Sequence, residues 1–158
     1  MAYTIRFFAT LAAITFALAT NAQLIDKKSL TLEAAQKIAA ASLAEARANN
    51  LNLVIAIVDD GGHLITLSRM ETAQYGSVDV AIAKAKTAAA FRRPTKLFED
   101  MAKSRPTLAT IANASLLEGG VPIIHNGQVI GAVGISGATA QQDTQVAETG
   151  INSLGLTR

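Results

Sequence analysis

The segment VPIIHNGQVIGAVGISG, residues 121–137, constrains the fold of this chain more tightly than any other stretch. One apolar run ends at His125, Asn126-Gly127 supplies the two residues that tolerate the positive φ of a type I′ turn, and a second apolar run follows. This is a β-hairpin whose register the turn fixes, so the chain must contain antiparallel sheet. On the second run Val129, Val133 and Ile135 point one way, and Ile130, Ala132, Gly134 and Ser136 the other. That row of small side chains lets a helix or a flat ligand approach the strand backbone closely.

An earlier segment repeats the arrangement. LVIAIVD and LITLSRM flank the corner Asp60-Gly61-Gly62. The first run is apolar on both faces and so belongs in the middle of a sheet. The second alternates, and places Arg69 on the side of Ile65 and Leu67. A guanidinium on an apolar row calls for an anionic partner, either Asp59 or Glu71 within the protein or an acidic group on a ligand.

Around the hairpins the period changes to that of helices. LTLEAAQKIAAASLAEARANN has an N-cap in Thr31, one face formed by Leu32, Ala35, Ala39, Leu43 and Ala46, and a stop at Asn49-Asn50. A second helix is expected from an N-cap at Ser77 to Arg92-Arg93, stopped by Pro94. Its apolar stripe is Val78, Ile82, Ala85 and Ala89, and a neighbouring stripe brings Lys84, Thr87 and Phe91 onto one surface. Thr95 caps a shorter helix, RPTLATIANASLLEGG reads as a loop with one helical turn, and Thr139 with Gln142 forms a capping box for a last helix carrying Ala147, Ile151 and Leu154 on one face. Helix, hairpin, helices, hairpin, helix is the order of a single α+β domain, an antiparallel sheet with helices packed on it.

The first residues read differently. Arg6 precedes an uncharged apolar run from Phe7 to Ala19, and Thr20-Asn21-Ala22 follows. This is the layout of an export signal over residues 1–22, cleaved after Ala22, which leaves residues 23–158 as the domain. As a helix the apolar run rises only ~20 Å against a hydrocarbon core of ~30 Å, which argues against a membrane anchor. Loss of Arg6 lowers the formal net charge from +2 to +1, and the scattered Lys and Arg offer no basic patch for nucleic acid. There is no cysteine, so disulfides, thiolate metal sites, covalent haem attachment and cysteine nucleophiles are all excluded.

Few residues remain that could carry chemistry. His63 and His125 each border a turn and are either exposed turn residues or ligands of a metal or haem iron. Asp59 and Asp60 either cap the corner or supply a catalytic carboxylate. Lys84 either snorkels to solvent or faces the surface shared with Thr87 and Phe91, and Thr87 can bond back to its own helix. Met70 has a thioether that iron can accept. Together they describe a small α+β domain with an anion-lined pocket, without a reaction type.

Taken together, VDDGGHLITLSRM, GSVDVAIAKAKTAAAFRRPT, GGVPIIHNGQVIGAVGISGA, QQD and VAETG resemble the GlcG/HbpS-like family of haem-binding and haem-degrading domains, over Leu30 to Leu154. The resemblance implies a profilin-like α+β fold, homo-oligomers built from dimers up to an octamer, and haem or a related tetrapyrrole held non-covalently. The family's Lys-Ala-x-Thr-Ala segment falls on Lys84 to Ala88, which makes Thr87 the implied contact to haem iron, with His63 as a competing ligand. Arg69 and Lys84 would then hold propionates and Phe91 the apolar plate. The expectation is a periplasmic or secreted haem-binding protein in haem or iron handling or redox sensing, with no nucleic-acid partner and no membrane contact after cleavage. The alternative is an enzyme for an organic acid or aromatic metabolite, anchored by Arg69 and using Asp59, His63 or Lys84 to move protons. An oligomer whose assembly is itself the function is a third reading.

Overall fold

A computed structural model describes residues 25 and 27–155; the expected export signal and its cleavage site lie outside them. The chain forms a helix α1 (Leu32–Ala48), a hairpin β1 (Val54–Asp59) and β2 (Leu64–Arg69), helices α2 (Ser77–Phe91) and α3 (Lys96–Ser104), a 3-10 turn (Pro106–Thr110), a hairpin β3 (Gly120–His125) and β4 (Gln128–Ser136), and helix α4 (Ala140–Asn152). The four strands make one antiparallel sheet in the order β2-β1-β4-β3. Helix α2 covers one face, and α1 and α4 pack together on the other. This is the expected α+β domain, with the apolar run of β1 in the middle. Among the described residues no helix is long and apolar enough to cross a membrane.

The core lies on both faces of β1 and β4. Leu53, Ile55, Ile57, Val133 and Ile135 are fully buried, joined by Ile38 of α1 and Ile151 of α4. Burial of each such side chain contributes about 1.5–3 kcal/mol. The small-residue row on β4 receives a helix: a Cβ on Gly134 would collide with the Ala81 carbonyl oxygen and the Ala85 nitrogen, and one on Gly120 with the Lys84 carbonyl. Helix α2 therefore rests on the sheet backbone to backbone.

Local signals held at most ends. Thr31 accepts the Ala34 N–H at 3.2 Å, the Thr139–Gln142 capping box is formed, and Asn126 (φ 50°) and Gly127 (φ 77°) make the second turn. Four expectations are corrected. Ser77 is the buried first residue of α2 and the cap position falls on Gly76, which has no side chain to cap with. Thr95 makes no cap bond; its hydroxyl accepts the Gly120 N–H at 2.8 Å and so fastens α3 to β3. The buried stripe of α2 is Ala81, Lys84, Ala85 and Ala88, turned from the predicted one, because glycines in the sheet select the alanines and leave Val78 and Ile82 half-buried. Leu32, placed on the inner face of α1 by its spacing, is 54% exposed.

Candidate functional site

The corner between β1 and β2 faces the C-terminal half of α2 and encloses with it a cleft of about 410 Å³. Gly61, Gly62 and His63 form one wall, Lys86, Thr87, Ala90 and Phe91 the other, and Ala112 and Asn113 close the end. A register shift between Ile57 and Val58 bends β1 just before the corner, where bulges commonly re-aim side chains. A Cβ on Gly62, which stands at φ 83°, would come within van der Waals distance of Lys86, so the corner lies close over the helix.

Asp59 organises this corner. Its Oδ1 accepts the backbone N–H of His63 at 2.8 Å, and its Oδ2 lies 3.3 Å from His63 Nδ1. Partial burial pushes the Asp59 carboxyl up, but the His63 N–H, the His63 ring and the Gly61 N–H outweigh it and hold the group below its ordinary 3.8. An ionised carboxylate only accepts, so in the neutral imidazole the pairing places the proton on Nδ1 and leaves Nε2 its lone pair. The imidazole is exposed to the cleft and to solvent. A Cβ on Gly61 would stand 2.9 Å from Nδ1, so glycine there is what leaves the ring its place.

Thr87 lies at the bottom of the cleft, 1% exposed. Its hydroxyl donates to the Ala83 carbonyl at 2.8 Å and accepts the Ser115 N–H at 2.8 Å, tying α2 to the loop after the 3-10 turn. One oxygen lone pair remains. Phe91, 40% exposed, continues the wall and meets Phe98 edge to face at 5.0 Å between centroids. The expected surface of α2 thus supplies Thr87 and Phe91.

Lys84 is placed elsewhere. It is 4% exposed, and its Nζ donates to Asp143 Oδ2 at 2.8 Å and to the Ile135 carbonyl at 2.9 Å. Burial raises the Asp143 carboxyl from its ordinary value even though the Lys84 ammonium pulls it down. The ammonium is committed to an internal ion pair and holds no group in the cleft. Arg69 is likewise removed from the site: it lies six positions beyond His63 on β2, about 20 Å along a strand. Its guanidinium stacks 5.0 Å over the Tyr75 ring, and Nη1 donates to the Ala73 carbonyl at 3.5 Å. The row's cation is answered by an aromatic face and a backbone carbonyl, not by Asp59, Glu71 or the cleft. A single cavity walled by Lys84, Thr87 and Arg69 does not exist.

Met70 is buried and its sulfur accepts the Leu53 N–H at 3.4 Å. His125 lines a separate groove with Leu30 and Leu154. Sequence reasoning missed Lys86, Asn113 and the Asp59–His63 pair. The pair had a signal, a carboxylate and an imidazole four residues apart across a glycine corner, whereas Asn113 comes from a loop without periodicity.

The donor set suits a macrocycle better than a bare ion. Among the described residues no three His, Asp or Glu side chains converge as a metal cage, whereas a tetrapyrrole brings its own equatorial nitrogens and asks the protein for an axial ligand. His63 Nε2 would be the nitrogen to hold such a group, Phe91, Ala90 and Ala112 would offer it an apolar wall, and the Lys86 ammonium would face an acidic edge.

A family described as "Haem degrading protein HbpS-like" matches residues 30–152. Protein GlcG of Escherichia coli (strain K12) is 46% identical over 108 residues, which span 68% of this chain and 81% of that protein. Among solved structures, a double mutant of Streptomyces reticuli HbpS matches with a TM-score of 0.79 at 29% identity, covering 98% of this chain and 99% of that one. The PduOC:heme complex matches with a TM-score of 0.76 at 25% identity, covering 82% of this chain and 98% of that one.

Proposed function

The chain belongs to the HbpS-like family of haem-degrading proteins, and on that footing we propose that it binds haem non-covalently in the corner-to-α2 cleft, with His63 as the iron ligand. The observation that carries this reading is the Asp59–His63 pair, which keeps the proton on Nδ1 and turns a lone pair outward beside an apolar wall. A histidine whose other nitrogen is held by a carboxylate is a stronger and better-oriented metal ligand. Thr87, whose hydroxyl already donates one bond and accepts another, is the weaker candidate. Phe91 and Ala90 would pack against the plate, and Lys86 would face a propionate. Bound haem supplies the iron and its redox couple; the chain supplies orientation and a partly dry wall. That relatives in this fold include a haem complex supports the reading.

Export to the periplasm or beyond is part of the proposal, supported by the apolar run after Arg6. So is dimer-based assembly, supported by the outer edge of β2 and by exposed Leu64 and Tyr75. A role in haem handling or redox sensing follows if the cleft is loaded outside the cell membrane. The competing reading, an enzyme for an organic acid, draws on the same pair, since a carboxylate-held imidazole is also a general base.

Titration with hemin separates the two. The expected result is a saturable Soret shift that His63→Ala abolishes or moves and that Phe91→Ala weakens. A hemin titration with no saturable shift, or one that His63→Ala leaves unaltered, would overturn the proposal.

A further inference from the structure

A groove of about 590 Å³, larger than the cleft of the Asp59–His63 pair, lies between Asp60 of the same corner, the end of α2 and the β3–β4 turn. Its floor is the cross-strand pair Ile124 and Val129, just before and after the β3–β4 turn. Arg92 overhangs it from the end of α2, and Lys28 from the segment leading into α1. The remaining charged groups of the lining, Lys27 and Asp60, are ion-paired with each other. The side chains of Lys28 and Arg92 make no ion pair or hydrogen bond among the described residues. Among the described residues the groove therefore combines an aliphatic floor with two cations that have no partner there and no acid outside the Lys27–Asp60 pair.

Arg92 also occupies a backbone position that favours glycine. It ends α2 in the left-handed conformation, φ 55°, ψ 37°, where a side chain costs about 1 kcal/mol that glycine avoids. A guanidinium over an apolar floor suits one kind of guest: a carboxylate held by charge-assisted hydrogen bonds, with an apolar body to cover the isoleucine and valine. We propose that this groove binds an amphipathic carboxylate of the fatty-acid type, at a site separate from the proposed haem cleft.

The test is titration calorimetry of the full, haem-free chain, so that its outcome does not depend on haem binding. Octanoate is expected to bind saturably, octanol at least about tenfold more weakly for want of charge, and acetate not measurably for want of an apolar body. Arg92→Gly should weaken octanoate about tenfold while keeping or raising the melting temperature, because it removes the guanidinium and relieves the backbone together. Lys28→Gln should weaken it by a smaller factor, and Lys103→Gln, on the exposed side of α3, should not change it. The proposal is overturned if octanoate gives no saturable heat, if octanol binds as well as octanoate, if Arg92→Gly binds like the parent chain, or if Lys103→Gln loses as much as Arg92→Gly.

Discussion

Two acid–base pairs divide this molecule between them. Asp59 and His63 are close in sequence and open to solvent at a cleft, whereas Lys84 and Asp143 are 59 positions apart and almost wholly buried between α2, β4 and α4. The exposed pair leaves a nitrogen lone pair unused. The buried pair leaves little: the ammonium also meets the Ile135 carbonyl, and the carboxylate also accepts the Ala138 N–H at 3.1 Å. Saturation makes the buried pair a fastening, and incompleteness makes the exposed pair a site. A lysine on a helix face next to a threonine is therefore no guide to a pocket until its acid has been found.

The sharpest way to break this contrast is to remove one member of the buried pair. Lys84→Met strands the Asp143 carboxylate and should cost about 3–5 kcal/mol in urea unfolding, whereas Lys84→Met combined with Asp143→Leu should recover most of that loss. A double variant as unstable as the single one would show that the pair is not the unit. At the exposed pair the effect should fall on binding: Asp59→Asn should weaken hemin about 10–100-fold, with a much smaller change in melting temperature. Thr87→Val removes the acceptor of the Ser115 N–H and should cost about 1–2 kcal/mol, with increased protease cleavage in the 111–118 loop as its signature.

The two pairs should also respond to acid with opposite sign. Asp59 has a lowered folded pKa, so its contribution is complete above its unfolded value of 3.8 and is lost as pH falls through the lowered value. Asp143 has a raised one, so the folded state holds its proton more tightly and loses that advantage as pH climbs from 3.8 through the raised value. Urea midpoints measured against Asp59→Asn and Asp143→Asn across this range should give slopes of opposite direction; slopes of one sign would contradict the assignment. The smallest effect belongs to Arg69→Gln, which gives up a cation–π contact at the surface worth less than about 1 kcal/mol and should leave hemin binding untouched.

The parts of the fold that local chemistry specifies were legible in the sequence: the Asn126-Gly127 turn, the caps at Thr31 and Thr139, the central place of β1. Those that depend on a distant surface were not. The buried stripe of α2 is selected by Gly120 of β3 and Gly134 of β4, and Thr95 serves β3 instead of its own helix. Helical period and turn position were enough to single out Thr87, Phe91 and His63, which the structure brings to one cleft. Lys84 and Arg69 were misplaced because their partners are Asp143, far along the chain, and a backbone carbonyl and an aromatic face, which no charge pattern announces. Within the QQD segment, Asp143 stands in the first turn of α4 and was available as the missing acid.

The seating of α2 on bare glycine backbone has a further consequence for any guest of the cleft. With peptide groups close at Gly120 and Gly134 and little more than alanine methyls interleaved between helix and sheet, sliding or rolling the helix would drive backbone into backbone, so the wall carrying Thr87 and Phe91 is braced by the strands beneath it. Whatever adjustment a guest demands must come from the Gly61-Gly62 hinge or the 111–118 loop. The opening can gape or narrow, but the anvil against which it closes stays still.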